Sequence, residues 1–187
     1  QDWCAEGWVR VADITQPASP SQARLLLRGD PAAGTRQLIN IGTRTGRVYV
    51  DIQRGATGTV TIASATVGTL SSITNGHRLV STAAVIPSAT YCYMAVIRYG
   101  STIYLTVDGA IVGQFTITTL NLADSIYTVT LGGPYSAGSG QGDWIASGPY
   151  PSACGPDYLD DWRVTLGNAR YTSFPHAVPT AAHPTSA

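Results

Sequence analysis

Apolar and polar residues alternate in short runs along most of this chain. The clearest example is the stretch TIYLTV (102–107), in which every second residue is a branched aliphatic one. Asp108 and Gly109 follow at once, and this dipeptide favours the positive φ angles of a two-residue hairpin turn. A second apolar run begins directly after the turn, so the pattern predicts a β-hairpin in which Asp108 is a turn residue.

The same strand signals recur from end to end, and no long window has the apolar periodicity of a helix. Thr, Val, Ile and Tyr dominate in runs that Gly, Pro, Asn and Asp interrupt. About eleven short strands without crossover helices indicate an all-β, two-sheet antiparallel sandwich. The predicted strands span 3–11, 23–28, 37–42, 47–53, 57–63, 78–84, 91–99, 102–107, 111–118, 127–131 and 158–165.

Two segments depart from this rhythm. The stretch 132–157 is rich in Gly, Ser and Pro but also carries three large aromatic residues. Those aromatics either fold back as a small core over a sheet or form a binding surface, since long loops in compact domains are often functional. The end of the chain, 175–187, contains prolines that a central strand would not tolerate. We therefore expect one domain over 1–174 and an extended Pro-rich tail over 175–187.

Charge excludes several classes of partner. The formal net charge is zero and all eleven basic residues are arginine, which gives no electrostatic case for binding nucleic acid or an anionic membrane surface. No apolar run approaches the length of a transmembrane helix. The chain begins Gln1-Asp2-Trp3, with neither an initiator Met nor a signal peptide, and we expect a processed product or part of a longer protein.

The three cysteines, Cys4, Cys92 and Cys154, lie far apart in the sequence and form no CxxC motif. This spacing argues against a zinc site. One disulfide with one free thiol and three buried reduced thiols both remain open, and an odd count also permits an intermolecular bridge.

No catalytic motif is apparent. The strand motif of glycoside hydrolases that carries two glutamates is absent, because Glu6 is the single glutamate of the chain. The three histidines do not have the HExxH spacing of a zinc protease. His176 and His183 fall in the Pro-rich tail, where we expect solvated side chains. We predict that the protein is not an enzyme; a hydrolase would need activity that depends on Glu6 or on an aspartate.

Two stretches resemble parts of the laminin G-like, concanavalin A-like jelly rolls. WCAEGWVR (3–10) resembles an early strand of that family, and YCYMAVIRYGSTIYLTVDGAIV (91–112) resembles its central meander with a V-D-G turn. A third stretch, LDDWRVTLGNARYT (159–172), resembles the closing strand of such domains in tailed-phage virion proteins. The family usually begins with one more strand, which pairs near the closing strand and is missing before Gln1.

The resemblance implies that the closing strand points Leu159, Trp162 and Val164 inward, with imperfect alternation at Asp160 and Asp161. Arg163 and Arg170 can then bind carboxylates, including those of the two aspartates, or backbone carbonyls at the edge of the strand. We interpret the four charged residues Asp160, Asp161, Arg163 and Arg170 as a structural clamp. The alternative is a calcium site formed by Asp157, Asp160 and Asp161; no other metal or cofactor is predicted.

The resemblance implies a jelly-roll domain in a non-catalytic structural or assembly protein of a tailed phage, used in capsid decoration, a tail or a fibre. Its expected partners are other virion proteins, further copies of itself and a host surface glycan, and its expected location is the virion or the extracellular space. The missing strand is expected to come from upstream sequence or from a neighbouring subunit by strand addition. The alternative is a carbohydrate-binding module of a secreted or cell-surface protein, with its sugar site at Tyr135, Asp143, Trp144 and Tyr150.

Overall fold

The structure, a computed structural model, describes residues 2–11, 14, 22–29, 37–54, 62–73, 76–117, 126–131 and 158–180. The described residues form twelve strands and no helix, and therefore none that could cross a membrane. In chain order the strands are β1 (Trp3–Arg10), β2 (Gln22–Gly29), β3 (Gln37–Arg44), β4 (Arg47–Arg54), β5 (Ile62–Val67), β6 (Thr69–Ile73), β7 (Gly76–Val80), β8 (Tyr91–Tyr99), β9 (Thr102–Val107), β10 (Ala110–Ile117), β11 (Ile126–Leu131) and β12 (Tyr158–Leu166).

These strands form two antiparallel sheets of six strands each. The first sheet has the order β12-β1-β8-β9-β10-β5, and the second has the order β11-β2-β3-β4-β7-β6. Every described pairing between the strands is antiparallel. The two sheets share one core, so the predicted all-β sandwich is confirmed.

The core lies between the inner faces of the sheets and follows the alternation of the strands. In the first sheet β1 turns Trp3, Ala5 and Val9 inward, and the neighbouring strands add aliphatic and aromatic residues at every second position. The second sheet contributes a matching layer from β3, β4 and β7. Its buried members are Ile39, Ile41, Val48, Val50, Ile52 and Leu79.

The hairpin predicted from the Asp-Gly dipeptide is present between β9 and β10. Asp108 and Gly109 have φ angles of 48° and 80°, the left-handed conformations that a tight turn of this kind requires. The Asp108 side chain also accepts a 2.8 Å hydrogen bond from the backbone N–H of Tyr93. The turn therefore attaches to β8 as well as joining its own two strands.

The stretch of chain around Gly68 was predicted wrongly. The strand expected over 57–63 is β5 at Ile62–Val67, overlapping the prediction at 62–63, and residues 57–61 lie outside the described part of the chain. The strand β6 was not predicted, because its sequence TLSSI has little apolar alternation. Gly68 separates β5 from β6 with a φ of 93°, and the chain passes from the first sheet to the second at this residue.

The strand expected over 78–84 starts earlier and ends at Val80. Beyond it, the Ser81 hydroxyl accepts a 3.2 Å hydrogen bond from the backbone N–H of Val48 and donates one of 2.8 Å to the carbonyl of Ala83. Arg47 donates to the carbonyls of Ser81 and Thr82. These side-chain bonds satisfy backbone groups locally and end the strand.

The closing strand β12 contains a β-bulge that explains its imperfect alternation. Its register against β1 shifts between Glu6 and Trp8, and Asp161 has a φ of 50°. One extra residue is thus accommodated opposite Gly7, and the alternation resumes on both sides of it. As the resemblance implied, Leu159, Trp162 and Val164 pack against the core.

Candidate functional site

Part of the outer face of the first sheet is covered by the stretch of chain that follows β12. On β1 the residues between the core positions, Cys4, Glu6 and Trp8, point to this outer face. Residues 167–180, here called the C-terminal segment, leave β12 and pack on it. A second apolar cluster forms there, made of Cys4, Tyr93, Ala95, Ile97 and Ala169 with Trp8, Tyr104, Tyr171, Phe174 and Val178 against it.

Glu6 lies at the centre of this covered face and is fully buried. Its Oε1 atom accepts hydrogen bonds from Arg163 at 3.0 Å (Nε) and 2.5 Å (Nη2). Arg170 of the C-terminal segment reaches the same oxygen at 3.2 Å through its Nε. One carboxylate therefore binds an arginine of the edge strand and an arginine of the covering segment.

The surroundings of Glu6 keep its carboxyl ionised. Burial by itself would raise the pKa of Glu6, but hydrogen bonding from Arg163 and from the hydroxyls of Tyr171 and Tyr93 outweighs burial and lowers that pKa. In return, burial and the nearby carboxylate raise the pKa of Tyr171 to about 12, and they raise the pKa of Tyr93 further. The tyrosines thus stay protonated and donate to an anion.

Cys4 shares this environment. Burial first, and then the negative charge of Glu6, raise the pKa of the Cys4 thiol well above its ordinary value. A thiol that stays protonated is a poor nucleophile and a poor metal ligand. Cys4 therefore packs as a small apolar side chain.

The C-terminal segment is held by aromatic stacking and by a buried histidine. The Phe174 ring stacks on Tyr104 with centroids 4.3 Å apart, and the His176 ring stacks on Tyr171 at 3.8 Å. Nε2 of His176 lies 2.9 Å from the Thr106 hydroxyl oxygen. These contacts join the segment to strand β9 at two places.

The expectation of a solvated His176 is wrong, because only 8% of its surface is exposed. Its backbone N–H also donates to the carbonyl of Gly109 at 3.1 Å. The sequence does contain a signal, since Phe174, His176 and Val178 are turned toward the sheet while Pro175 and Ala177 are exposed. The prolines led to the prediction of a solvated tail, whereas the alternation is typical of an extended segment that lies on a surface.

A second buried carboxylate lies on the outer face of the second sheet. Asp51 of β4 accepts hydrogen bonds from Arg78 of β7 at 2.5 and 2.7 Å, and the guanidinium carbon lies 4.8 Å from the centroid of the Tyr49 ring. Core residues of β4 point the opposite way, so Asp51 and Glu6 are on opposite outer faces of the sandwich. With sheets about 10 Å apart, the core separates the two acids.

The predicted clamp residues are divided between two environments. Arg163 and Arg170 do bind a carboxylate, and that carboxylate is Glu6, a partner that the sequence did not indicate. Asp160 is exposed beside the bulge, and Asp161 occupies the bulge itself. Of the four predicted clamp residues, the two arginines are the ones that bind Glu6.

Only some residues of the predicted calcium and sugar sites belong to the described part of the chain. Among the described residues no group of three or more His, Cys, Asp or Glu side chains is placed to hold a metal ion; Asp157 of the calcium hypothesis lies outside them. The proposed sugar-site residues Tyr135, Asp143, Trp144 and Tyr150 also lie outside the described residues.

Cys4 and Cys92 are buried thiols that take part in no disulfide, and Cys154 lies outside the described ranges. In the register of β1 and β8, Cys4 is opposite Ile97 and Cys92 is opposite Val9. The two thiols are thus five positions apart along the pair, roughly 17 Å. They also point to opposite faces of the sheet, so they do not form a disulfide with each other.

The geometry defines a β-sandwich in which the end of the chain covers an outer face around a buried, arginine-paired glutamate. No protein-family model matches the chain, and no curated protein matches it.

Proposed function

We propose that this protein is a non-catalytic structural protein of a tailed-phage virion, used in capsid decoration, a tail or a fibre, and that its sandwich is a jelly roll of the laminin G-like, concanavalin A-like type. One observation carries the proposal. The three stretches that resemble that family lie far apart in the sequence, yet they form β1, β8 to β10 and β12. These are five consecutive neighbours of the first sheet. A resemblance that arose by chance would have no reason to assemble into one continuous surface.

The arrangement of the buried acids supports a role without catalysis. Acid and base catalysis of glycoside cleavage uses two carboxyl groups about 5–10 Å apart on either side of a substrate. Glu6 and Asp51 instead lie on opposite faces, and each is hydrogen-bonded to arginine. Each carboxylate therefore binds an arginine of another strand, which suits it to holding chain segments in place.

The covering of the first sheet supports a role in a durable assembly. The C-terminal segment packs on β1, β8 and β9 through the Arg170–Glu6 ion pair, apolar contacts, aromatic stacking and a buried histidine. An outer face covered in this way presents a rigid surface to neighbouring proteins.

The test is the location of the chain in particles. Gradient-purified phage particles from a host that carries the gene are analysed by mass spectrometry and by immunogold electron microscopy with antibodies against the chain. We expect its peptides in the particle fraction and gold on the capsid or the tail. Peptides of a replication enzyme encoded by the same phage serve as the control for contamination. Recovery of the chain only outside the particles would refute the proposal.

A further inference from the structure

The two lateral sides of the sandwich are built differently. On one side β5 continues into β6 through Gly68, so a single stretch of chain forms the border of both sheets. On the other side the border of the first sheet is β12, which pairs with β1 and, among the described strands, with no other. A nine-residue border strand offers backbone N–H and C=O groups to a further strand.

The register identifies the backbone groups that face outward. The N–H of Gly167 donates to the carbonyl of Asp2 at 2.8 Å, in line with the β1–β12 register. In an antiparallel ladder every second pair exchanges hydrogen bonds. Since the Asp2–Gly167 pair does so, the backbone groups of Thr165 and Arg163 also point to β1. Those of Val164 and Leu166 point away from it, toward the open edge.

We propose that a second copy of this chain pairs with this edge, β12 against β12, antiparallel and with the two-fold axis at Val164. In this register Val164 faces Val164 of the second copy, and Leu166 faces its Trp162. All of these side chains are on the inner face of the sheet, so apolar residues meet apolar residues. On the outer face Arg163 meets Thr165 of the second copy, and no like charges are opposed.

Two further features favour a self-complementary edge. Among the described residues Leu166 is one of three large apolar residues left exposed, at 47%, and Trp162 and Val164 are only partly buried; pairing would cover Leu166, Trp162 and Val164. The bulge at Asp161 lies just beyond the paired stretch 162–166 and would end the new ladder there. An interface that a two-fold axis makes with itself uses the same patch twice, as most soluble homodimers do.

This inference rests on the proposed assembly role and names the contact that such a role would use. Its first test is self-association of the purified protein, measured by sedimentation equilibrium over a range of concentrations. We expect a dimer. The variant Leu166→Pro removes an N–H that faces the open edge and leaves the ladder with β1 intact. It should weaken dimerisation at least about tenfold.

The matched control is Leu166→Val, which keeps the N–H and an apolar side chain and should leave the dimer within about threefold of wild type. A protein that stays monomeric overturns the inference, and so does a dimer that Leu166→Pro leaves unchanged. Neither result bears on whether the chain is found in particles, so the two proposals fail independently.

A second pair of variants decides the register even if Leu166→Pro misfolds. In the proposed pairing two Val164 residues face each other with Cα atoms about 5.5 Å apart, which a disulfide can span. Val164→Cys should therefore give a disulfide-linked dimer on mild oxidation, seen by non-reducing electrophoresis against the unmodified protein. Thr165→Cys places the thiols on the other face and roughly 8 Å apart, and it should not. Equal cross-linking of both variants, or of neither, refutes the register.

Discussion

The charge on Glu6 should be a main contributor to the stability of this fold, and Glu6→Gln tests it with little change in volume. The substitution leaves two guanidinium groups against a neutral amide. The Arg163 side chain is 19% exposed and that of Arg170 is 39% exposed, while Glu6 itself is fully buried. The better shielded Arg163 pair should therefore dominate the loss.

The magnitude follows from this burial. Removing one partner of a buried ion pair costs about 3–5 kcal/mol, and a pair as exposed as that of Arg170 adds less than about 1 kcal/mol. Glutamine can still accept a hydrogen bond from Arg163, which recovers part of the loss. We expect the free energy of unfolding to fall by about 2–4 kcal/mol at pH 7, or roughly 4–16 °C in Tm for a chain of this length.

The effect should depend on pH in a defined direction. The pKa of Glu6 is lowered in the folded protein, whereas the unfolded chain has the ordinary value of about 4.3. The ionised carboxylate therefore stabilises the fold fully above about pH 5, and this contribution is lost as the pH falls through the folded-state pKa. The gap between wild type and Glu6→Gln should shrink accordingly at low pH.

Unfolding in urea, followed by tryptophan fluorescence at pH 7 and at pH 3, measures both effects, because urea is uncharged and does not screen the ion pair. Asp160→Asn is the matched control, since it removes an exposed carboxylate from the neighbouring strand and should change stability by less than about 0.5 kcal/mol. If Glu6→Gln and Asp160→Asn have the same midpoint at pH 7, the structural role given to Glu6 is wrong.

Three further predictions concern close packing and the sugar hypothesis. A Cβ on Gly7 would lie 2.5 Å from Cγ of Trp162, so Gly7→Ala should cost about 1–3 kcal/mol in urea unfolding and shift the fluorescence of that tryptophan. Gly109→Ala combines a φ of 80° with a clash against the carbonyl oxygen of His176, and it should speed tryptic cleavage within the C-terminal segment. If the carbohydrate alternative holds, glycan-array binding should be lost in Trp144→Ala.

Each of the three has an outcome that contradicts it. Gly100→Ala is the control for Gly109→Ala, because Gly100 also has a positive φ, 59°, but a Cβ added there would meet no atom within 4 Å. Equal cleavage rates in these two variants would show that backbone strain, and not the contact with His176, detaches the segment. Unaltered stability in Gly7→Ala would contradict the tight fit of Trp162. Glycan binding that survives Trp144→Ala would remove that residue from the site.

The local structure of several short stretches was predictable from the sequence. The Asp108–Gly109 hairpin follows from the φ angles that this dipeptide favours, and the inward positions of the closing strand follow from its resemblance to a known pattern. The bulge at Asp161 was visible only as broken alternation, since the sequence does not say which residue is extra. The strand β6 was missed because its two adjacent serines leave little apolar alternation.

The arrangement around Glu6 could not be predicted in the same way. Glu6 and Arg163 are 157 positions apart, and neither has a local pattern that names its partner. Their meeting depends on β12 pairing with β1, and the burial of the pair depends on an irregular segment crossing the outer face. The single glutamate lies between Trp3 and Trp8 in an apolar strand, but its partners follow only from the tertiary structure.

The passage of the chain from β5 to β6 through one glycine has a mechanical consequence. Because both sheets share that stretch of backbone, the layers cannot part along that border without breaking the strands themselves. At the opposite border β12 and β11 end their sheets, and within the described residues no single stretch of backbone forms both of these edges. The hydrogen-bonded amides of β5 and β6 should therefore exchange with solvent more slowly than those of β11 and β12, and a neighbour bound along β12 would slow exchange at that border as well.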